Sequence, residues 1–240
     1  MLTTTQGIVL HSLKYGETSL ILNILTRDYG LHTYIYKGVR KSKTHAANLL
    51  FPLSCISLTS YMKASTGMHL LKEISASPSL PSILLSPQKN LQSLFLSEVI
   101  LKSMKHEDTD QAMFDFLHDQ IILLENTHEN VSLFQLNLLA KLTLYLGFSP
   151  HGNYDQQHNP YFDLLEGYYS GHLPVHGQYL SGTDAALFSR VFAIDERLLP
   201  RLNITLAETK NALHLLTKYY QLHALHGQQL KSFDILLELL

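Results

Sequence analysis

The spacing of apolar residues changes once along this chain, near residue 80, and that change constrains the fold more than any single motif. Before it, apolar and polar residues alternate in short runs, the period of a half-buried strand. After it, apolar residues recur every three or four positions, the period of an amphipathic helix. Gly7 to Leu13 is a β-rich run that stops at the turn cluster Lys14-Tyr15-Gly16-Glu17. Ser19 to Thr26 follows, with Leu20, Leu22 and Ile24 on one face. Arg27-Asp28-Tyr29-Gly30 makes a second turn, and Leu31 to Tyr36 a third strand. Its Leu31, Thr33 and Ile35 face one way, and His32, Tyr34 and Tyr36 the other. Thr44 to Leu50 suits a short helix, and Phe51 to Met62 and Gly67 to Ile74 supply two more strands. Five strands with a short helix between the third and fourth is the order of an OB-fold barrel, although an SH3-like barrel gives a similar pattern.

The stretch Ser75-Ala76-Ser77-Pro78-Ser79-Leu80-Pro81-Ser82 reads as a linker. Beyond it, Leu91, Leu94, Phe95, Val99 and Met104 mark one helix, and Phe114, Leu117, Ile121 and Leu124 a second. Leu133, Leu136, Ala140, Leu144 and Tyr145 mark a third, ending at Gly147 and Pro150. Leu206 to Ala224 is the longest helical pattern. The expected fold class is therefore α+β, with an N-terminal five-stranded OB-fold barrel over residues 1–80. A mostly helical domain over 81–240 follows, with an irregular loop or hairpin insert near 151–180.

The first residues lack the cationic start and apolar run of a secretion signal, and no stretch is apolar for membrane-spanning length. The single cysteine, Cys55, sits in an apolar run and excludes an internal disulfide or a cysteine zinc cluster. It reads as a small core residue, and the chain as one made for a reducing, cytoplasmic compartment.

Charge is divided unevenly. Residues 1–80 hold eight Lys/Arg against three Asp/Glu, and residues 81–240 hold ten against seventeen, within a chain of net charge −2. The basic excess concentrates in Lys37-Gly38-Val39-Arg40-Lys41-Ser42-Lys43, four cations in seven residues directly after the third strand. A cationic knot in a chain of negative charge points to a polyanion, and each cation placed on a backbone phosphate releases condensed counterions. Tyr34 and Tyr36 just before it put aromatics beside cations, the combination that stacks bases while holding phosphates. The competing reading buries them, with Leu31 and Ile35 the better core candidates. Lys14 and Arg27, at turns, would extend the basic surface.

Other constellations ask for less. His172 and His176, with His151, His158 and Asp163, superficially resemble a metal site, but no helix holds their spacing and no His-Glu-x-x-His signature occurs. Asp110, after Glu107 and Asp108, suits a helix start, and His223 and His226 a helix end. No nucleophile elbow, phosphate-cradling loop or paired-carboxylate motif stands out, so neither an enzyme nor a cofactor is expected.

An ordered set of segments resembles the bacterial DNA repair and recombination mediator family RecO. It comprises Tyr15-Gly16-Glu17, Leu25-Thr26-Arg27 with Gly30, the knot Lys37 to Lys43, and Tyr145-Leu146-Gly147-Phe148-Ser149-Pro150. Phe162-Asp163-Leu164-Leu165-Glu166-Gly167, then His226-Gly227 with Leu230-Lys231-Ser232, complete it. The resemblance implies an OB-fold followed by a helical domain, binding of single- and double-stranded DNA, and annealing of complementary strands. It implies partnership with RecR and with the C-terminal tail of single-strand-binding protein, in helping RecA load onto coated DNA at the nucleoid. The family's basic DNA surface maps onto Lys37, Arg40, Lys41 and Lys43. Some members carry a four-cysteine zinc site near 151–180; this chain lacks those cysteines, so no zinc is expected and apolar residues must hold that segment. An acidic tail would also need a cation beside an apolar pocket, for which Arg190, Arg197, Arg201 and Lys218 are available. The alternative class is an OB-fold protein–protein adaptor without direct DNA contact.

Overall fold

A strand of fourteen residues that must serve two neighbours cannot stay straight, and the barrel is built around that fact. In the computed structural model, which describes residues 1–39, 49–62, 67–104, 109–128, 130–195 and 204–240, β1 spans Leu2–Tyr15. Its first half pairs antiparallel with β4 (Cys55–Tyr61) and its second half with β2 (Ser19–Thr26). The register shifts between Val9 and His11, a bulge that bends the strand from one partner to the other. β2 pairs with β3 (Gly30–Tyr36), β3 runs parallel to β5 (His69–Ala76), and β5 returns to β4. The order β1-β2-β3-β5-β4 closes on itself, an OB-like barrel with no free edge.

Inward side chains alternate as the pleat requires. Leu20, Leu22 and Ile24 of β2 meet Val9, Ile56, Leu58 and Leu71 in the interior. Tyr34 is part of that interior too, fully buried, with its hydroxyl 3.9 Å from the Met62 sulfur and its ring against His69. Gly7 sits where β1 touches both partners; a Cβ there would lie 2.6 Å from Leu58 Cδ2 and 2.7 Å from Ile24 Cγ2. Ile8, Leu25 and Leu31 form an outward row and are nonetheless buried; α2 (Pro87–Ser103) packs against β1. Both faces of β3 therefore carry buried residues, Tyr34 inside and Leu31 outside, which a single in/out assignment does not anticipate.

The Ser/Pro stretch marks the change from strand to helix but not the edge of the compact unit. The chain divides into Met1–Thr127 and His128–Leu240. The first unit holds the barrel with α1 (Pro81–Leu85), α2 and α3 (Gln111–Asn126). Glu125 of α3 accepts from the backbone N–H groups of Ser82 and Ile83, closing the N-terminus of α1. The buried Lys89 ammonium donates to Ser82 Oγ and the Glu125 carbonyl, each at 2.7 Å. Asp110 caps α3 by accepting from Met113 N–H. The short helix expected over Thr44–Leu50 lies mostly outside the described residues.

In the second unit α4 (Val131–Leu146) is buried almost all round and ends at Gly147, whose φ of 81° lets the last carbonyls be satisfied. A small sheet follows, β6 (Tyr161–Asp163) between β7 (Tyr168–Ser170) and β8 (Tyr179–Ser181). Then come α5 (Gly182–Phe192), α6 (Leu206–His223) and α7 (Lys231–Leu239). α6 opens on a capping box between Thr205 and Glu208. No helix among the described residues is long and apolar enough to cross a membrane.

Candidate nucleic-acid interface

The register of the barrel gathers cations from three strands at one end. Lys14 of β1 stands opposite Leu20, and Leu20 opposite Tyr36, the last residue of β3. Strand spacings of about 4.8 Å put Lys14 and Tyr36 roughly 10 Å apart across β2. Lys37 follows Tyr36, and Gly38, at φ +74°, turns the chain through a conformation that favours glycine. Val39 then drops back into the interior, where only 4% of it is exposed. Lys37 is thus held outward between two residues packed on the core. Tyr36 also pairs with Leu71 on β5, and the next residue, Lys72, is the extra one where the β4–β5 register shifts. Sequence alone gave no sign of Lys72, because the β3–β5 pairing is parallel and distant along the chain.

The three cations differ electrostatically. Lys14 and Lys37 are exposed with no ion-pair partner among the described residues. Lys72 lies 3.9 Å from Glu73, a loose, exposed contact that offsets part of its charge. Burial, then the neighbouring Glu73, raises the Tyr36 hydroxyl above its ordinary pKa, so it stays a neutral donor. Beside this basic end runs an outward apolar row across four strands and on to a fifth: Leu13, Ile21, Ile35, Leu70 and Tyr61.

Three expected site residues need correction or placing. Tyr34 is not at the surface: it fills the barrel, and burial pushes its hydroxyl up to about 12. A closed five-stranded barrel needs large side chains inside, and β3 contributes its tyrosine. Tyr36 is half-buried against the same interior. Arg27 does not extend the basic surface; it lies at the other end of β2 from Leu20 and is engaged. Its Nε and Nη2 donate to Asp115 Oδ1 and Oδ2 at 2.7 and 2.9 Å, a fork that ties α3 to the β2–β3 turn. That hydrogen bond, then the attraction between the charges, raises the Arg27 pKa. Arg40, Lys41 and Lys43 lie outside the described residues.

The histidines of 151–180 are used one at a time, and no group of three or more metal-ligating side chains occurs among the described residues. Asp163 Oδ1 accepts from the N–H groups of Leu165 and Glu166, and its Oδ2 pairs with His176 Nε2 at 3.0 Å. His158 pairs with Asp155, and His223 reaches the Leu164 carbonyl at 2.8 Å. Beneath the sheet, Phe162, Tyr169 and Leu180 face Phe188 and Tyr219, and apolar packing holds this segment. Cys55 is buried, which pushes its thiol up to about 12 and leaves it unreactive.

A closed OB-like barrel with a basic end, followed by a helical region, defines a class: OB-barrel proteins, whose β2–β3 face and adjoining loops are the usual ligand surface. Family models place the chain further. The N-terminal domain of recombination protein O matches residues 1–79 and its C-terminal domain residues 85–232. The chain belongs to the RecO family. Among its relatives is the DNA repair protein RecO of Azobacteroides pseudotrichonymphae, 29% identical and aligned over 98% of each chain. Those of Phocaeicola vulgatus and Bacteroides fragilis are 28% and 29% identical over all of this chain and 99% of theirs.

Proposed function

We propose that this chain is a DNA repair protein that binds single- and double-stranded DNA through the basic end of its barrel and anneals complementary strands. The observation that carries the reading is the convergence of Lys14, Lys37 and Lys72 at the end from which the Arg40, Lys41 and Lys43 segment departs. Each cation set on a phosphate displaces a condensed counterion, and neutralised backbones repel each other less, so a second strand approaches a held one more readily. No covalent step is needed. In this reading the protein acts with RecR and with the C-terminal tail of single-strand-binding protein to help RecA load onto coated DNA. The test is the rate of pairing of two complementary oligonucleotides, bare and coated with single-strand-binding protein. The protein should speed both, and the double charge reversal Arg40→Glu with Lys41→Glu should remove the effect. Unchanged DNA binding and salt dependence in that variant would show that the knot is not the site.

The outward aliphatic row Leu13, Ile21, Ile35 and Leu70 favours a second reading, in which the barrel face is a protein-docking adaptor. Salt separates the two: weak, salt-insensitive oligonucleotide binding would support the adaptor.

A further inference from the structure

We propose that His32 and His69 form a two-imidazole site for a divalent transition-metal cation of the zinc class, which clips β3 to β5 where the barrel closes. The site stands apart from the basic end and does not depend on the DNA reading. His32 of β3 is held by its pairing with Ile24 of β2, and His69, the first residue of β5, is held opposite Tyr34. His32 and Tyr34 share one face of β3, so the two imidazoles meet beside the Tyr34 ring. His32 Nδ1 and His69 Nε2 point at each other 3.2 Å apart, with ring centroids 4.8 Å apart and planes at 73°.

That separation suits a hydrogen bond, and it suits a shared metal as well. Zinc–nitrogen bonds of about 2.0–2.1 Å spanning 3.2 Å give an N–Zn–N angle of about 99–106°, close to tetrahedral. The ring proton now lying between the two nitrogens moves to the far nitrogen of its own ring, which leaves both facing lone pairs for the cation. His69 is only 2% exposed and His32 is partly exposed, so one ligand is fixed in the barrel and the other reaches solvent, from which water can complete the coordination. Two imidazoles without a carboxylate cluster favour zinc, copper or nickel over magnesium or calcium, which take oxygen ligands. Both donors stand on paired strands, so little ordering is needed on binding. The position also has a use. The β3–β5 ladder has three residue pairs, fewer than any other ladder of the barrel among the described residues. His69 opens that ladder and His32 lies two residues before its first partner, Tyr34, so a metal between them extends the seam past the last backbone pair.

The test uses the full chain, ¹⁵N-labelled at histidine, stripped with chelator and titrated with zinc chloride. His32 and His69 should be the first of the fourteen histidines to shift, saturating at one equivalent, and the denaturation midpoint should rise with them. Removal of a ligand should weaken binding at least as much as loss of a supporting partner does, about tenfold or more. His32→Ala, at the partly exposed position, should therefore lose both the early shifts and the midpoint rise, and His69→Gln should do the same. Should the buried His69 variant fail to fold, His32→Ala decides alone. Magnesium chloride at the same concentration should shift neither ring. Zinc shifts appearing first at other histidines, an equal midpoint rise in His32→Ala, or no change at one equivalent of zinc would overturn the proposal and leave the pair a hydrogen bond only.

Discussion

Removing the three gathered lysines together, as Lys14→Ala, Lys37→Ala and Lys72→Ala, should change the salt dependence of DNA binding more than its high-salt limit. If each ammonium neutralises one phosphate of a single strand, each contributes about 0.7 to the slope of log affinity against log salt. Three lysines then account for a slope change of about 2. At 0.1 M salt the triple variant should bind about 100-fold more weakly, and near 0.5 M only about fourfold more weakly. The loads should be unequal. Lys72 shares its charge with Glu73 at 3.9 Å, so its single variant should cost least, and Lys14 and Lys37, which have no such neighbour among the described residues, should cost more. Fluorescence anisotropy with a labelled oligonucleotide across a salt series reads all of this. Lys218→Ala, at an exposed lysine of the second unit, serves as the control of equal charge change for each single variant. A slope unchanged in the triple variant, or a loss that does not shrink as salt rises, would refute the claim that these side chains hold phosphates.

The same structure predicts three other outcomes. Gly7→Ala pushes a methyl into Leu58 and Ile24, and overpacking of about 1–3 kcal/mol, less the chain-entropy gain of up to about 1 kcal/mol, should leave the barrel about 1–2 kcal/mol less stable. Chemical denaturation measures it, Leu58→Val in the same chain should restore part, and a neutral Gly7→Ala would refute the close approach. Arg27→Ala should leave the DNA salt slope unchanged while speeding hydrogen exchange in α3; a fall in slope like that of the lysines would return Arg27 to the DNA surface. Asp163 is pulled two ways: burial raises its pKa, but the Glu166 N–H, His176 and the Leu165 N–H outweigh it and hold the carboxyl below its usual 3.8. A depressed folded pKa stabilises above the unfolded value and is lost as pH falls through the folded one. Amide protection in the 161–170 hairpin should therefore drop below about pH 4, and Asp163→Asn should abolish that dependence; an unchanged profile would refute the pairing.

What the sequence made readable was what local pattern encodes. Leu20, Leu22 and Ile24 alternate and do share the interior of the barrel. Asp110 caps α3 and Gly147 ends α4, because capping is a matter of one or two residues and their neighbours. Barrel closure was anticipated by strand count, but its register was not, and register decides which residues meet. Lys72 joins Lys14 and Lys37 only through a parallel pairing between strands more than thirty residues apart. Tyr34 and Leu31 are both buried because one face of β3 lines the barrel while the start of its other face is covered. Arg27 looked like a free cation because its partner, Asp115, lies 88 residues away. Of the histidines near 151–180, His158 and His176 each pair with a carboxylate, Asp155 and Asp163, and the second of these spans thirteen residues that no local pattern connects.

The placement of Tyr34 has a functional consequence beyond the correction. A small barrel has a fixed interior to fill, and a tyrosine used there is withdrawn from the ligand face. In the DNA reading proposed above, affinity on that face leans on cations, whose contribution falls steeply as ions return, more than on stacking, which is far less sensitive to salt. That balance suits the annealing proposed above. The finished duplex must be released, and a contact made of counterion exchange dissolves readily when other ions or partners compete for the phosphates. A stacking platform would instead hold each base until it was pulled away, and would oppose the pairing it was meant to promote. With Ile21 and Ile35 outward and Tyr34 inward, the barrel face is aliphatic where an aromatic one would favour storing strands, which agrees with the annealing role proposed above.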